Sequence, residues 1–207
     1  RFLDTKEVKI FWGKDFIITI GNSHWIVKKF FNTVKENLEA FKQELSAETS
    51  DALLYEIMER LMKDTLSLVG RIGSEVDQIN YGLFNDKSQK IIEKISVTRK
   101  NVILLDTSFR PQVRVFHKFE SGEIKGFAEE MEEYWGNILD YYQKLWDMIE
   151  DYKELIEGLS KTYDSLQTNK INEIIKMLTL ISTVMLPMTF IASVYGMNVG
   201  LPFQNHP

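Results

Sequence analysis

Apolar residues in the second half of this chain recur in steps of four and three without a break, at 127, 131, 134, 138, 141, 145, 148, 152, 155 and 159. A heptad rhythm held that long predicts a single helix from about Gly122, packed on other helices or on copies of itself. Gly126, Gly136 and Gly158 each weaken it by about 1 kcal/mol relative to Ala. No proline lies between Pro111 and Pro187, so the helix is expected to reach Tyr195, about 105 Å of helix at 1.5 Å per residue. That is far longer than a globular core needs.

The first half reads differently. Glu7 to Gly21 is rich in aromatic and β-branched residues around Gly13-Lys14-Asp15, which predicts two short strands joined by a turn. A helix is expected from about Ser23 to Leu45, with Val27, Phe30, Phe31, Val34, Leu38 and Phe41 at helical spacing. A hairpin and one helix are too little to fold alone, so this stretch reads as the tail of an α/β domain whose earlier strands precede Arg1. Ser50-Asp51 is expected to cap the next helix, which runs to about Phe84. Asn85-Asp86-Lys87-Ser88 has turn chemistry, and a second helix follows from about Gln89 to Thr107, making an antiparallel hairpin. Pro111 is expected to interrupt or kink what comes next. The fold class is α+β, with five parts: a partial α/β domain (1–49), a helical hairpin (50–121), a stalk helix (122–176), a membrane helix (177–195) and the start of a loop (196–207).

Charge sharpens that division. Between Glu123 and Glu157 stand 11 acids and three bases, while Met177 to Pro207 has no Asp, Glu, Lys or Arg. Met177 to Tyr195 is 19 uncharged residues, close to the ~20 a helix needs to cross the hydrocarbon. Pro187 is tolerated inside such a helix. Lys161, Lys170 and Lys176 precede the span and no base follows it, which predicts a cytoplasmic N-terminal side. The chain has no cysteine, so no disulfide, zinc-thiolate site or thiol nucleophile is open to it. His24, His117 and His206 are scattered and no phosphate-binding glycine loop appears, which leaves an enzyme the weakest reading. No basic stripe marks a nucleic-acid partner.

Polar residues inside the span are ordered. The heptad series 172-179-186-193 reads Asn172, Thr179, Leu186, Ser193, and the series 175-182-189-196 reads Ile175, Ser182, Thr189, Gly196. Taken singly, such hydroxyls bond back to their own helix or let helices pack closely. Aligned on one seam, they favour a water-accessible axis shared by identical helices, although Thr183 lies off it. Neutral oxygens without charge suit a hydrated hard cation such as magnesium, which keeps its first water shell.

Asn172 to Thr179, and then Leu186 to Asn198 ending in Tyr195-Gly196-Met197-Asn198, resemble the first membrane helix of CorA-type magnesium/cobalt transporters. The resemblance implies a homopentameric channel in the cell (inner) membrane, multi-pass, with a second membrane helix expected after Pro207. It implies a selectivity filter of Gly196, Met197 and Asn198, with Asn198 meeting the hydrated ion. Asn172, Ile175, Leu178, Leu186 and Thr189 match pore-facing positions, and the seam adds Thr179, Ser182 and Ser193 to the lining. Ile175 and Leu178 would form an apolar gate that closes by dewetting. Magnesium would be both cargo and regulatory ion, with no separate cofactor. By ungapped offset the family's stalk aspartate falls on Asn137, so Asp140 and Asp147 stand as regulatory candidates. The loop after Val199 lacks the acid that many relatives carry. A zinc-transporting relative shares this architecture but usually varies the Met of the signature. A membrane-anchored coiled-coil scaffold would explain the stalk and span, but not the seam.

Overall fold

The computed structural model describes residues 2–21, 25–36, 38–39, 49–85, 90–124 and 131–197. Strands β1 (Val8–Gly13) and β2 (Phe16–Gly21) pair antiparallel with Gly13 opposite Phe16, so Lys14-Asp15 is the turn. Alternation divides the hairpin. Ile10, Trp12 and Ile17 turn toward the helical core, while Phe11, Phe16, Ile18 and Ile20 stand exposed. Helix α1 (Trp25–Glu36) buries Ile26, Val27 and Phe30, and Arg60 stacks its guanidinium over the Phe30 ring at 4.9 Å. The expected start at Ser23 and end at Leu45 lie outside the described residues.

Helix α2 spans Ser50–Asn85, matching the expected length, but its cap is one residue earlier than predicted. Thr49 Oγ1 accepts the Ala52 N–H at 3.3 Å, as an N-cap does. Ser50 does other work. Its hydroxyl donates to the carbonyls of Gly13 (2.8 Å) and Lys14 (2.7 Å) and accepts the Trp12 indole N–H, tying the strand turn to the helix start.

Helix α3 (Lys90–Glu120) runs antiparallel to α2: Ile91 lies against Gly82, and Thr98 donates to Glu75. The predicted turn at 86–89 lies outside the described residues. Pro111 does not end this helix, which continues for nine residues beyond it. A proline inside a helix costs about 3 kcal/mol, and the packing on either side offsets it. Phe109 and Phe116 are both buried against Tyr142, with ring centroids 5.0 and 4.4 Å apart. Such aromatic burial is worth about 1.5–3 kcal/mol per side chain. The real stop is Gly122, at φ 68°, with the Ser121 N–H bonded to the His117 carbonyl at 2.9 Å. Gly122 therefore closes α3 rather than opening the long helix.

Helix α4 spans Glu132–Gly196, 65 residues, beginning ten residues later than the periodicity predicts. The chain divides into two compact units, Arg1–Leu159 and Ser160–Pro207. In the first unit the buried stripe of α4 is Met131, Trp135, Ile138, Tyr142, Leu145, Ile149 and Ile156. At four of the ten expected positions (134, 141, 148 and 155) the next residue is the more buried one: Trp135 stacks on Phe119 at 4.7 Å, while Tyr141 and Leu155 are exposed. The reason is visible in the sequence. Apolar doublets at 134/135, 141/142, 148/149 and 155/156 satisfy the same heptad rhythm in two settings. Tyr142 donates its hydroxyl to Gln112 Oε1, and burial pushes its pKa up, so the phenol stays neutral.

Candidate functional site

The second unit is the C-terminal part of α4. The helix is long and apolar enough to cross a membrane: its most apolar 18-residue window has a mean hydropathy of 1.9, and none of that window is buried. Every residue from 171 to 193 is exposed.

The structure places Asn172, Ile175, Leu178, Thr179, Ser182, Leu186, Thr189 and Ser193 along this one helix, all exposed. At 100° per residue they occupy an arc of about 120°, with Leu178 at its edge. The arc drifts by about 20° per heptad, the behaviour of a straight helix carrying a seven-residue repeat. On the far side lie Met177, Val184 and Ile191, also seven apart and all apolar.

The hydroxyls settle into one arrangement. Thr179 donates to the Ile175 carbonyl at 2.9 Å, and Thr189 to the Met185 carbonyl at 2.8 Å. Thr183, off the seam, does the same to Thr179. Each proton is consumed inside the helix, as an isolated Ser or Thr reading predicts. The consequence is chemical as well as conformational, because a hydroxyl that has donated its proton still offers lone pairs outward. The exposed oxygens of Thr179 and Thr189 are acceptors. Pro187 lacks the N–H that would meet the Thr183 carbonyl, yet the helix continues to Gly196. There the Met197 N–H turns back to the Val194 carbonyl at 3.4 Å. Gly196 and Met197 are exposed at this helix end, and Asn198 lies outside the described residues.

In the first unit Asp140 and Asp147 are exposed and seven residues apart on one face, about 10.5 Å along the helix. Asn137 is exposed on the same side. Among the described residues no three Asp, Glu, His or Cys side chains are gathered to hold a metal ion.

One charged cluster was not anticipated. Asp106 is buried in α3, where Lys153 Nζ of α4 reaches Oδ2 at 3.0 Å and Arg110 Nη2 reaches Oδ1 at 3.2 Å. Burial alone would raise its pKa. The Lys153 hydrogen bond and charge, then Arg110, outweigh burial and hold the carboxyl below the ordinary carboxylate value. The signal was present in the sequence: Asp106 follows an Ile-Leu-Leu run, and Lys153 is one of three bases in the acidic stretch.

Over its described residues the chain thus orders a strand pair, a helical hairpin and one long C-terminal helix with an uncharged span. Its likeness to solved structures is to the CorA magnesium transporter of Methanocaldococcus jannaschii (TM-score 0.77, 20% identity, 99% of this chain and 69% of that one). The full-length CmaX protein is similar to the same degree (TM-score 0.77, 20% identity, 97% of this chain and 60% of that one). At that identity the likeness speaks for the fold alone. Residues 2–207 match the family model of the CorA-like Mg2+ transporter protein, and the chain belongs to that family, whose members are transporters and not enzymes. Among relatives, the cobalt/magnesium transport protein CorA of Thermotoga maritima is 24% identical over 196 residues, 95% of this chain and 55% of the relative. The putative metal ion transporter YfjQ of Bacillus subtilis is 27% identical over 204 residues, 99% of this chain and 63% of the relative. The chain thus spans between half and two thirds of the length of these two relatives.

Proposed function

We propose that this chain supplies a partial α/β domain on the cytoplasmic side and the pore-lining helix of a divalent cation channel that passes hydrated magnesium, with cobalt as a second cargo. The observation that carries this reading is the seam of exposed oxygen acceptors, Thr179 and Thr189 foremost, on an uncharged helix. A hydrated magnesium ion presents water hydrogens outward, and acceptors without charge hold such a surface weakly enough to let it pass. Asn172, Ser182 and Ser193 continue the lining, and Ile175, Leu178 and Leu186 make it apolar where the path narrows. Ile175 and Leu178 are the gate. Gly196 and Met197 shape the outer mouth, where Asn198 amides from several copies contact the ion's water shell. The copies form a homopentamer in the cell (inner) membrane.

In the first unit Tyr141 and Leu155 stand exposed, while Tyr134 packs on Tyr55 and Met148 lies against the core. Asp140 and Asp147, exposed seven residues apart on one face, are the candidates for a regulatory magnesium site between neighbouring copies.

Magnesium flux into liposomes carrying the native protein tests the proposal. Asn198→Ala is expected to abolish flux or its selectivity, and wild-type flux from that variant removes Asn198 from the filter. Ile175→Ser is expected to leak at high internal magnesium; unaltered gating removes it from the gate. Zinc carried in preference to magnesium would favour the zinc-transporting relatives. An intact oligomer that carries no divalent cation would favour a scaffold.

A further inference from the structure

The long helix carries two apolar stripes one residue apart. Trp135, Tyr142, Ile149 and Ile156 form one, and Tyr134, Tyr141, Met148 and Leu155 form the other. Both repeat every seven residues, and a turn of the helix by about 100° exchanges them. The first stripe is buried; in the second Tyr141 and Leu155 are exposed, Leu155 at 52% beside Ile156 at 0%, while Tyr134 and Met148 are partly buried against the same core. Hydrophobic burial is non-directional and scales with area, so two stripes of similar composition do not settle by themselves which faces inward.

The Asp106–Lys153 pair is not neutral to such a turn. In the observed setting Lys153 reaches Asp106 at 3.0 Å, and the Tyr152 ring lies over Gly73 of α2, where an added Cβ would come within 2.6 Å of Tyr152 Cζ. Turned by one residue, α4 would bring Tyr152 to the place of Lys153 and Asp151 to the place of Tyr152. Asp106 would keep only the Arg110 guanidinium of its own helix and lose the Lys153 ammonium, and the Asp151 carboxylate would be pressed onto the α2 surface. A buried charge stripped of its partner is strongly disfavoured. Against an apolar pair of the same shape a buried ion pair adds little stability, and its best-attested use is to fix a register.

We infer that Asp106 and Lys153 form the rotational key of the long helix, selecting the stripe from Trp135 to Ile156 for full burial and leaving Tyr141 and Leu155 outward. The inference rests on residues of the unit Arg1–Leu159 and stands apart from the ion-transport reading.

The absence of cysteine makes the test direct. Leu155→Cys and Ile156→Cys are made singly in the native protein, and labelling by a water-soluble maleimide is timed. With the key intact, the thiol at 155 is expected to label at least about tenfold faster than that at 156, which reacts only on local opening. The double change Asp106→Leu with Lys153→Met removes both charges and keeps the interface apolar. In that background the two rates are expected to converge. An unchanged ratio in the folded double variant overturns the inference, because the packing alone then chooses the stripe. Loss of helical circular dichroism in the double variant also overturns it, because the pair then holds the fold rather than its rotation. Asp106→Asn, which leaves Lys153 unpaired, is expected to move the ratio in the same direction. Acceleration at 156 with no protection gained at 155 would count as melting and against the key.

Discussion

From Glu132 to Leu159 and from Ser160 to Gly196 the long helix carries seven-residue repeats, yet the two stretches end in opposite states. The first buries Trp135, Tyr142 and Ile149 against α2 and α3 of its own chain. The second buries nothing, and carries Leu186 at 69% and Phe190 at 70% exposure. Periodicity alone therefore does not say what a helix packs on. In the first stretch the apolar stripe is backed by charged neighbours and satisfied within the chain. In the second there are no charges on any face from Met177 on, and the helix is long and apolar enough to cross a membrane.

The comparison is broken most forcefully by truncating matched positions. Trp135→Ala removes a ring stacked on Phe119 and is expected to cost about 3–5 kcal/mol in urea unfolding of the native protein. Leu186→Ala is expected to leave the fold within about 0.5 kcal/mol while changing flux, since its side chain touches no core. Equal losses at both positions would erase the distinction. Next in size are two glycines of α2. A methyl at Gly73 meets Tyr152 and should cost about 1–3 kcal/mol, whereas Gly70 has open space around it and Gly70→Ala should add about 0.5–1 kcal/mol. Thermal unfolding of the two variants in parallel checks both signs.

The smallest expected effect is in acid. Asp106 has a folded-state pKa held below its ordinary value of 3.8. Its contribution is therefore complete above that value and fades as pH falls through the lowered one. The difference in Tm between wild type and Asp106→Asn should shrink over that limb and hold constant from pH 5 upward. A difference that grows in acid would contradict the pairing with Lys153.

Much of this was legible in the residues, and the misses have physical causes. The hairpin around Lys14-Asp15 and the length of α2 follow from turn chemistry and periodicity, which are local. Pro111 was misjudged because its helix is held by Phe109 and Phe116 packing on Tyr142, a contact between distant parts of the chain. Gly122 was assigned to the wrong helix because its role rests on a positive φ. The buried stripe differs by one residue from the periodic series because apolar doublets fit two settings, which contacts between distant parts of the chain distinguish: Trp135 on Phe119, Tyr142 on Phe109 and Phe116, and Lys153 on Asp106. The seam in the span was readable, since neutral hydroxyls at seven-residue spacing stand out where every other face is apolar. That threonine protons are spent inside the helix was also expected of such residues taken singly, and Thr179, Thr183 and Thr189 do so.

The central claim is that one arc of the second stretch faces a water-filled path and the opposite arc faces lipid. Cysteine scanning of 172–196 in the native protein, reconstituted in liposomes and probed with a membrane-impermeant thiol reagent, tests it most directly. The account predicts labelling at 179, 182, 189 and 193 and protection at 177, 184 and 191, with the pattern repeating every seven residues. Uniform labelling, or labelling strongest at 184 and 191, would contradict it.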